Sequence, residues 1–214
     1  MKATEKFAET HTETRTEIFS LKIKSVTLEG EKLRLEYLEQ HHVDELLPLI
    51  DPQIWKWYTT QITNEADFRH FIGNILEEQK TNRTLAFAIR EKSSNQLIGS
   101  SRFLNIDVPN RRAEIGSTWY APKWQRTFAN TEAKFPMLQH AFETLSCISV
   151  HFQTDSLNER SRTAIERLGA KLDGVIRNQR ICDTGRIRHS ATYSITNDEW
   201  PNIKLHLMQL KDTK

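Results

Sequence analysis

The sequence predicts an α/β (α+β) fold, a mixed and largely antiparallel twisted sheet flanked by helices. Three observations carry this. Short runs that alternate apolar and polar residues are separated by turn-forming residues, the signature of hairpin strands. Between them lie segments whose apolar residues recur at helical spacing. From Ala113 to Gly169 the order becomes strand, loop, helix, strand, helix, the kind of connection that a parallel pair within the sheet needs.

Taken in order, residues 1–20 are mostly polar and read as an N-terminal arm, with 21–214 as a single domain. Val26–Glu29 and Leu33–Tyr37 alternate around Gly30-Glu31 as a hairpin, and Val43, Leu46, Leu47 and Ile50 mark a helix. The cluster Ile54-Trp55-Lys56-Trp57-Tyr58 suits either a substrate cleft or a helix–sheet contact. Asn64–Gln79 is an amphipathic helix with Asn64 as N-cap and Asp67 at N3. Leu85–Ile89, Leu97–Leu104 and Ala113–Tyr120 are three antiparallel strands. After the loop 121–129 a helix carries Ala133, Met137, Leu138, Ala141 and Phe142, and Pro136 predicts a local kink unless the helix starts near Phe135. Ile148, Val150 and Phe152 form a strand, and the helix behind it ends at Gly169. Two long strands joined by Asp183-Thr184-Gly185 and a short C-terminal helix complete the chain.

A chain of 214 residues with 37% hydrophobic and 27% charged content can bury a sizeable core. A net charge of +2 gives no reason to expect nucleic acid or a membrane surface as partner. Cys147 and Cys182 lie outside any CxxC or Cys/His ligand pattern, so reduced core thiols in a cytoplasmic protein, without a metal site, are expected. No apolar run has the length of a membrane span, and the N-terminus has no signal-peptide pattern.

The functional signal is the loop 123–129. A strand feeding a helix through a short polar loop leaves the first helical N–H groups without partners, and with the helix dipole these favour a phosphate. Arg126, Thr127, Phe128, Ala129 and Asn130 are therefore candidates for holding a pyrophosphate, although an ordinary helix start capped by Thr127 or Asn130 would use the same residues. Gly116 suggests a bulge or close backbone approach, which would free N–H groups near Trp119 and Tyr120. Asn158 opens the second helix of this region as a cap, with Ser161 three residues on.

Glu114-Ile115-Gly116, Pro122-Lys123-Trp124-Gln125-Arg126-Thr127, Asn130-Thr131-Glu132-Ala133-Lys134, Asn158-Glu159-Arg160-Ser161 and Ala164–Ala170 occur in that order. As an ordered set they resemble the GNAT superfamily of acyl-CoA-dependent N-acetyltransferases, and most closely the branch of the ribosomal-protein alanine acetyltransferases. The likeness spans roughly residues 26–197. It implies acetyl-CoA as cosubstrate, bound through Trp119, Tyr120, the loop 126–130 and Asn158. It also implies that Asn158 bonds the pantetheine arm and that Ser161 protonates the departing thiolate. The loop departs from the family's glycine pattern, with Thr127 in place of the central glycine and the side chains of Thr127 and Asn130 as substitute donors. His189 stands where the branch has an acidic residue in the last strand.

The expected reaction is direct attack of a primary amine on the acetyl thioester, with backbone N–H groups meeting the developing oxyanion. No Ser/His/Asp or Cys/His set argues for a covalent enzyme intermediate. Glu114 is the best-placed carboxylate for a base, with a salt bridge to Arg112 as its structural alternative. An α-amine, with a pKa near 8, is neutral in roughly one molecule in ten at pH 7 and needs little help, whereas a lysine amine, near 10.4, is almost wholly protonated. His151 and His189 are expected in structural hydrogen bonds, and Arg177, Asn178 and Tyr193 beside the acceptor cleft. The acceptor is a protein N-terminus or a small-molecule amine, and a homodimer is compatible with the sequence. A non-catalytic acyl-CoA-binding module of the same fold is the alternative.

Overall fold

The computed structural model describes residues 25–212, so the expected arm at 1–20 lies outside the described residues. β1 (Leu28–Glu29) and β2 (Leu33–Tyr37) form the first hairpin, closed by the Gly30 N–H on the Leu33 carbonyl at 2.9 Å. α1 (His42–Leu46) runs into 3₁₀ turns at Leu47–Leu49 and Pro52–Trp57, shorter and tighter than the single helix expected, because Pro48 and Pro52 restart the backbone. α2 (Glu65–Lys80) begins as predicted: the Asp67 N–H bonds Asn64 Oδ1 at 3.0 Å, and the Thr63 N–H bonds Asp67 Oδ2 at 2.9 Å. β3 (Leu85–Glu91), β4 (Gln96–Asp107) and β5 (Arg112–Tyr120) follow as an antiparallel meander.

α3 (Ala129–Gln139) crosses over to β6 (Ser149–Asp155), which pairs parallel with β5. Pro136 has no N–H for the preceding turn, and the helix passes it only to widen into a π-turn over His140–Thr144, closed by the Leu145 N–H on the His140 carbonyl at 2.9 Å. α4 (Glu159–Glu166), β7 (Lys171–Ile181), β8 (Ile187–Thr196) and α5 (Trp200–Asp212) complete the order. The eight strands form one sheet, β1-β2-β3-β4-β5-β6-β8-β7, the mixed and largely antiparallel architecture expected. Gly169 ends the helical stretch at φ +95°, where Ile203 closes on it at 3.0 Å from the position a Cβ would take.

Strand alternation divides the core between the two faces of this sheet. On one, Phe103, Ile115, Val150, Phe152 and Tyr193 pack beneath α3, α4 and α5. On the other, Ala86, Ala88 and Trp119 pack against Phe68, Ile72 and Ile75 of α2 and Val43 and Leu46 of α1. Trp55 belongs to this second layer at 1% exposure, edge-on to Tyr58 at 4.9 Å and to Phe71 at 5.4 Å, so for Trp55 the helix–sheet reading holds. Full burial of one such side chain stabilises by about 1.5–3 kcal/mol. Cys147 and Cys182 are buried and free. No helix among the described residues is long and apolar enough to cross a membrane.

The β3–β4 turn is held by one carboxylate. Glu91 accepts from the hydroxyl and the N–H of both Ser94 and Ser93, at 2.6 to 3.1 Å, and these bonds lower its pKa to about 2. A depressed carboxylate pKa stabilises the fold above the unfolded value, near 4.3, and that contribution disappears as the pH falls through about 2. Glu91→Gln is expected to lower stability by about 1–3 kcal/mol at pH 7, by leaving the turn donors poorly met. Urea titrations at pH 7 and pH 3 should show a smaller loss on acidification for the variant than for the wild type.

Candidate active site

β5 and β6 pair over only three rows, Arg112↔Ser149, Ala113↔Val150 and Glu114↔His151. Beyond them β5 bonds only β4 and β6 only β8, so the two parallel strands part toward their C-terminal ends. A bulge in β5 accompanies the parting. Ser100 faces Trp119 while Arg102 faces Gly116, so β5 takes one residue more than β4 over this span. The left-handed residue is Ser117, at φ +46°, and a Cβ on Gly116 would stand 3.0 Å from Leu104 Cδ2, so the strand has both the bulge and the close approach expected of this glycine.

The Ala121 N–H bonds the Ile98 carbonyl at 2.8 Å, which fixes the alternation along the end of β5. Trp119 thereby turns its N–H to β4, and its ring is buried 5.6 Å from Trp55 and 6.0 Å from Phe68. Tyr120 turns its N–H and carbonyl into the gap between the strands, where the carbonyl accepts from Gln125 Nε2 at 3.0 Å. Gln125 Oε1 in turn accepts from Arg160 Nη2 of α4 at 2.6 Å, so one glutamine spans the mouth of the gap.

The loop itself is a 3₁₀ turn at Pro122–Trp124 followed by Arg126 in the left-handed region, φ +63°. The conformation that favours glycine thus falls on Arg126, one residue before the position where Thr127 replaces it. The Thr127 hydroxyl donates to the Trp124 carbonyl at 2.8 Å and accepts from the Ala129 N–H at 3.2 Å. It is therefore committed inside the loop, one residue before the N-cap Phe128, which has no side-chain cap, and its proton is not left over for a ligand. The first helical bond runs from the Glu132 N–H to the Phe128 carbonyl at 3.0 Å. The N–H groups of Phe128 and Asn130 have no hydrogen-bond partner among the described residues, and the Arg126 side chain is exposed. The Phe128 ring packs edge-on to Trp124 at 5.8 Å beneath Lys32.

Across the gap, Asn158 caps α4 by accepting from the Ser161 N–H at 3.1 Å. Its amide Nδ2 and the Ser161 hydroxyl bond no other group among the described residues, and both residues are half-buried at the end of β6. On the face of the sheet away from α3, Glu114 and Gly116 lie at the base of the gap. Glu114 accepts from Asn105 Nδ2 at 2.8 Å, and Arg112 pairs with Asp107 instead, so the expected Glu114–Arg112 bridge is absent. His151 bonds the Ser149 hydroxyl at 3.1 Å, and His189 Nδ1 accepts from the Asn178 N–H at 2.9 Å, both structural contacts as expected. Arg177, Asn178 and His189 line an open hollow on the last hairpin. Tyr193 does not border a cleft: it is buried, its hydroxyl accepting from Arg162 and donating to Glu166.

Two residues of this region carry roles that the sequence did not reveal. Gln125 is the clasp just described. Lys134, on α3, is buried at 4% exposure and donates to Thr118 Oγ1 at 2.5 Å and Ser101 Oγ at 2.8 Å, tying the bulged strand to the helix. Burial lowers its pKa to about 7. A lysine among Ala133, Met137, Leu138 and Ala141 was the available signal.

The profile of the Acetyltransferase (GNAT) domain matches residues 32–171, and the chain belongs to this family. N-acetyltransferase p20 of Bacillus licheniformis, itself uncharacterized, is 28% identical over 156 residues, covering 71% of this chain and 85% of that protein. YdaF of Bacillus subtilis, provisionally described as a ribosomal N-acetyltransferase, is 32% identical over 108 residues, 50% of this chain and 58% of that protein. Among solved structures, a GCN5-related N-acetyltransferase from Brucella melitensis superposes with a TM-score of 0.80 at 30% identity, covering 87% of this chain and 85% of that one. The chain is an acyltransferase of this family, whose reaction is acetyl-CoA-dependent N-acetylation.

Thr127→Val keeps the side-chain shape but removes both loop bonds. It is expected to cost about 1–2 kcal/mol in a urea titration, the scale of one or two lost hydrogen bonds, and to weaken acetyl-CoA binding by calorimetry. Lys134 gives a second test. Its folded pKa lies below the unfolded value near 10.4, so the folded state carries fewer protons between about 7 and 10 and stability rises with pH across that window. Lys134→Met should flatten this rise.

Proposed function

We propose that this chain transfers acetyl from acetyl-CoA to a primary amine by direct attack in the gap between β5 and β6. The supporting observation is the parting of these strands with the Tyr120 N–H turned into the space between them, beside the N-termini of α3 and α4. Bound acetyl-CoA supplies an activated acetyl thioester. Tyr120 donates its N–H toward the acyl oxygen, where negative charge develops, and a donor of this kind contributes about 3–4 kcal/mol to such a step. Trp119 supports it by fixing the strand against the second core layer.

Phe128 and Asn130 offer their N–H groups to the pyrophosphate at the positive end of α3, and the exposed Arg126 adds a positive charge. Thr127 and Ala129 hold the turn that presents these groups. Asn158 extends Nδ2 toward the pantetheine arm, and Ser161 gives a proton to the departing sulfur, directly or through water. Glu114, on the opposite face of the sheet at the base of the gap, takes the proton of the attacking amine. The acceptor is a primary amine on a protein N-terminus or a small molecule. The description of YdaF favours the former, and the low pKa of an α-amine suits a site with a single carboxylate.

Isothermal titration of acetyl-CoA into wild type and Asn158→Ala, with radiolabelled transfer to a panel of amines, tests this. Micromolar binding, weakened about tenfold in the variant as expected for one lost hydrogen bond of about 1.4 kcal/mol, supports the placement. No binding at millimolar acetyl-CoA, or no transfer to any amine, refutes the reading.

A further inference from the structure

On the face of the sheet away from α3, the rows of β6 and β8 are polar throughout: His151 with Ser194, Gln153 with Thr192, and Asp155 with Ser190. Arg188 continues this strip on β8. It is 9% exposed, and its only hydrogen bond runs from Nε to Ser190 Oγ at 3.0 Å, so both terminal nitrogens lack a partner among the described residues. The carboxylate of this strip is already engaged, since Asp155 accepts from Arg186 Nη2 at 2.5 Å and from the Leu157 N–H at 3.0 Å. Directly opposite Arg188 on β7 stands Arg180, and like charges across a strand pair destabilise it. Burial opposes the charge of Arg188. With Asp155 committed to Arg186 and Leu157, it accepts no hydrogen bond from Arg188 or Arg180, and a forked guanidinium with free ends matches an oxyanion.

The position of Arg188 relates it to the transfer site. Tyr120 lies six residues beyond Glu114 on β5, and Arg188 lies six beyond Ser194 on β8, both counted from the last row that joins the two arms of the gap. They therefore stand at similar depth on either side of β6, about two strand spacings or ~10 Å apart before the splay is added. The space is roofed from the other side. The hairpin turn closes on the loop before α2 through the Asp183 N–H on the Thr59 carbonyl at 2.9 Å and the Gln61 N–H on Asp183 Oδ2 at 3.0 Å, and Arg186 lies over the Trp57 ring.

We propose that Arg188 binds an oxyanion carried by the acceptor, so that the preferred acceptor is a primary amine with a carboxylate or phosphate a few bonds away. This rests on the β5–β6 gap being the transfer site. Acetyl transfer to two matched pairs, L-alanine against L-alaninamide and 2-aminoethyl phosphate against ethanolamine, is measured alongside calorimetric binding of the same four compounds to the CoA-loaded protein. The anionic member of at least one pair should exceed its neutral partner by about tenfold in kcat/KM and in affinity, and which pair does so names the group. Arg188→Met should bring that ratio close to one, while Arg188→Lys, which keeps the charge but loses the fork and guards against a folding failure of the first variant, should leave it intermediate. Equal binding and equal transfer within both pairs, or a preference that survives in Arg188→Met, overturns the proposal. An anion preference in binding without transfer to any amine would keep Arg188 as an anion site and overturn the function proposed above instead.

Discussion

Everything at the candidate site depends on two parallel strands that stop bonding each other after three rows. A parallel pair that stayed together would use up the N–H and carbonyl groups along both facing edges. Here the inner edge of β5 turns the N–H of Tyr120 into open space, while its carbonyl is met by Gln125. An open edge inside a sheet persists only if something else holds the strands apart. The bulge at Ser117 reorients β5, and Lys134 pins the bulged residue Thr118 to α3 from below. Gln125 and Arg160 then link the two arms at the top. The strand opening, the buried lysine and the glutamine clasp are three parts of one construction.

The same opening separates two chemistries. On the side of α3 and α4 the sheet is apolar and the helix N-termini face the gap, a setting for an anionic ligand with a long neutral arm. On the other side the second core layer stops at β5 with Trp119, and β6 and β8 present polar side chains. A buried Arg188 beside a carboxylate already held by Arg186 gives that side a positive charge in a low-dielectric setting, where it discriminates between acceptors more strongly than a surface arginine would.

Much of this was legible in the residues. The order of elements, the Asn64 and Asn158 caps, the bulge near Gly116 and the tight turn at Asp183-Thr184-Gly185 are local features, and local chemistry dictates them. The role of Thr127 was legible only as a pair of alternatives, because whether a hydroxyl points inward to the Trp124 carbonyl or outward is decided by the left-handed turn at Arg126, a conformation that an arginine does not advertise. Gln125, Lys134 and Arg188 were missed for a common reason. Gln125 and Lys134 act through partners distant in sequence, Arg160 and Thr118 with Ser101, and Arg188 is set apart by Arg180 across the strand pair and by the claim of Arg186 on Asp155, arrangements that only the register of the sheet brings about. Tyr193 shows the converse, since strand parity places it in the core beneath α4 whatever its hydroxyl suggests.

The most direct test of the open strand edge is a titration of isotope-labelled protein with CoA and acetyl-CoA, followed by the backbone and side-chain amide resonances. The largest shifts should fall on the backbone amides of Tyr120, Phe128 and Asn130 and on the side-chain amide of Asn158, with Tyr120 distinguishing acetyl-CoA from CoA because only the former brings an acyl oxygen to it. Shifts confined to other parts of the sheet, with Tyr120 indifferent to both ligands, would contradict the placement of the reaction between β5 and β6.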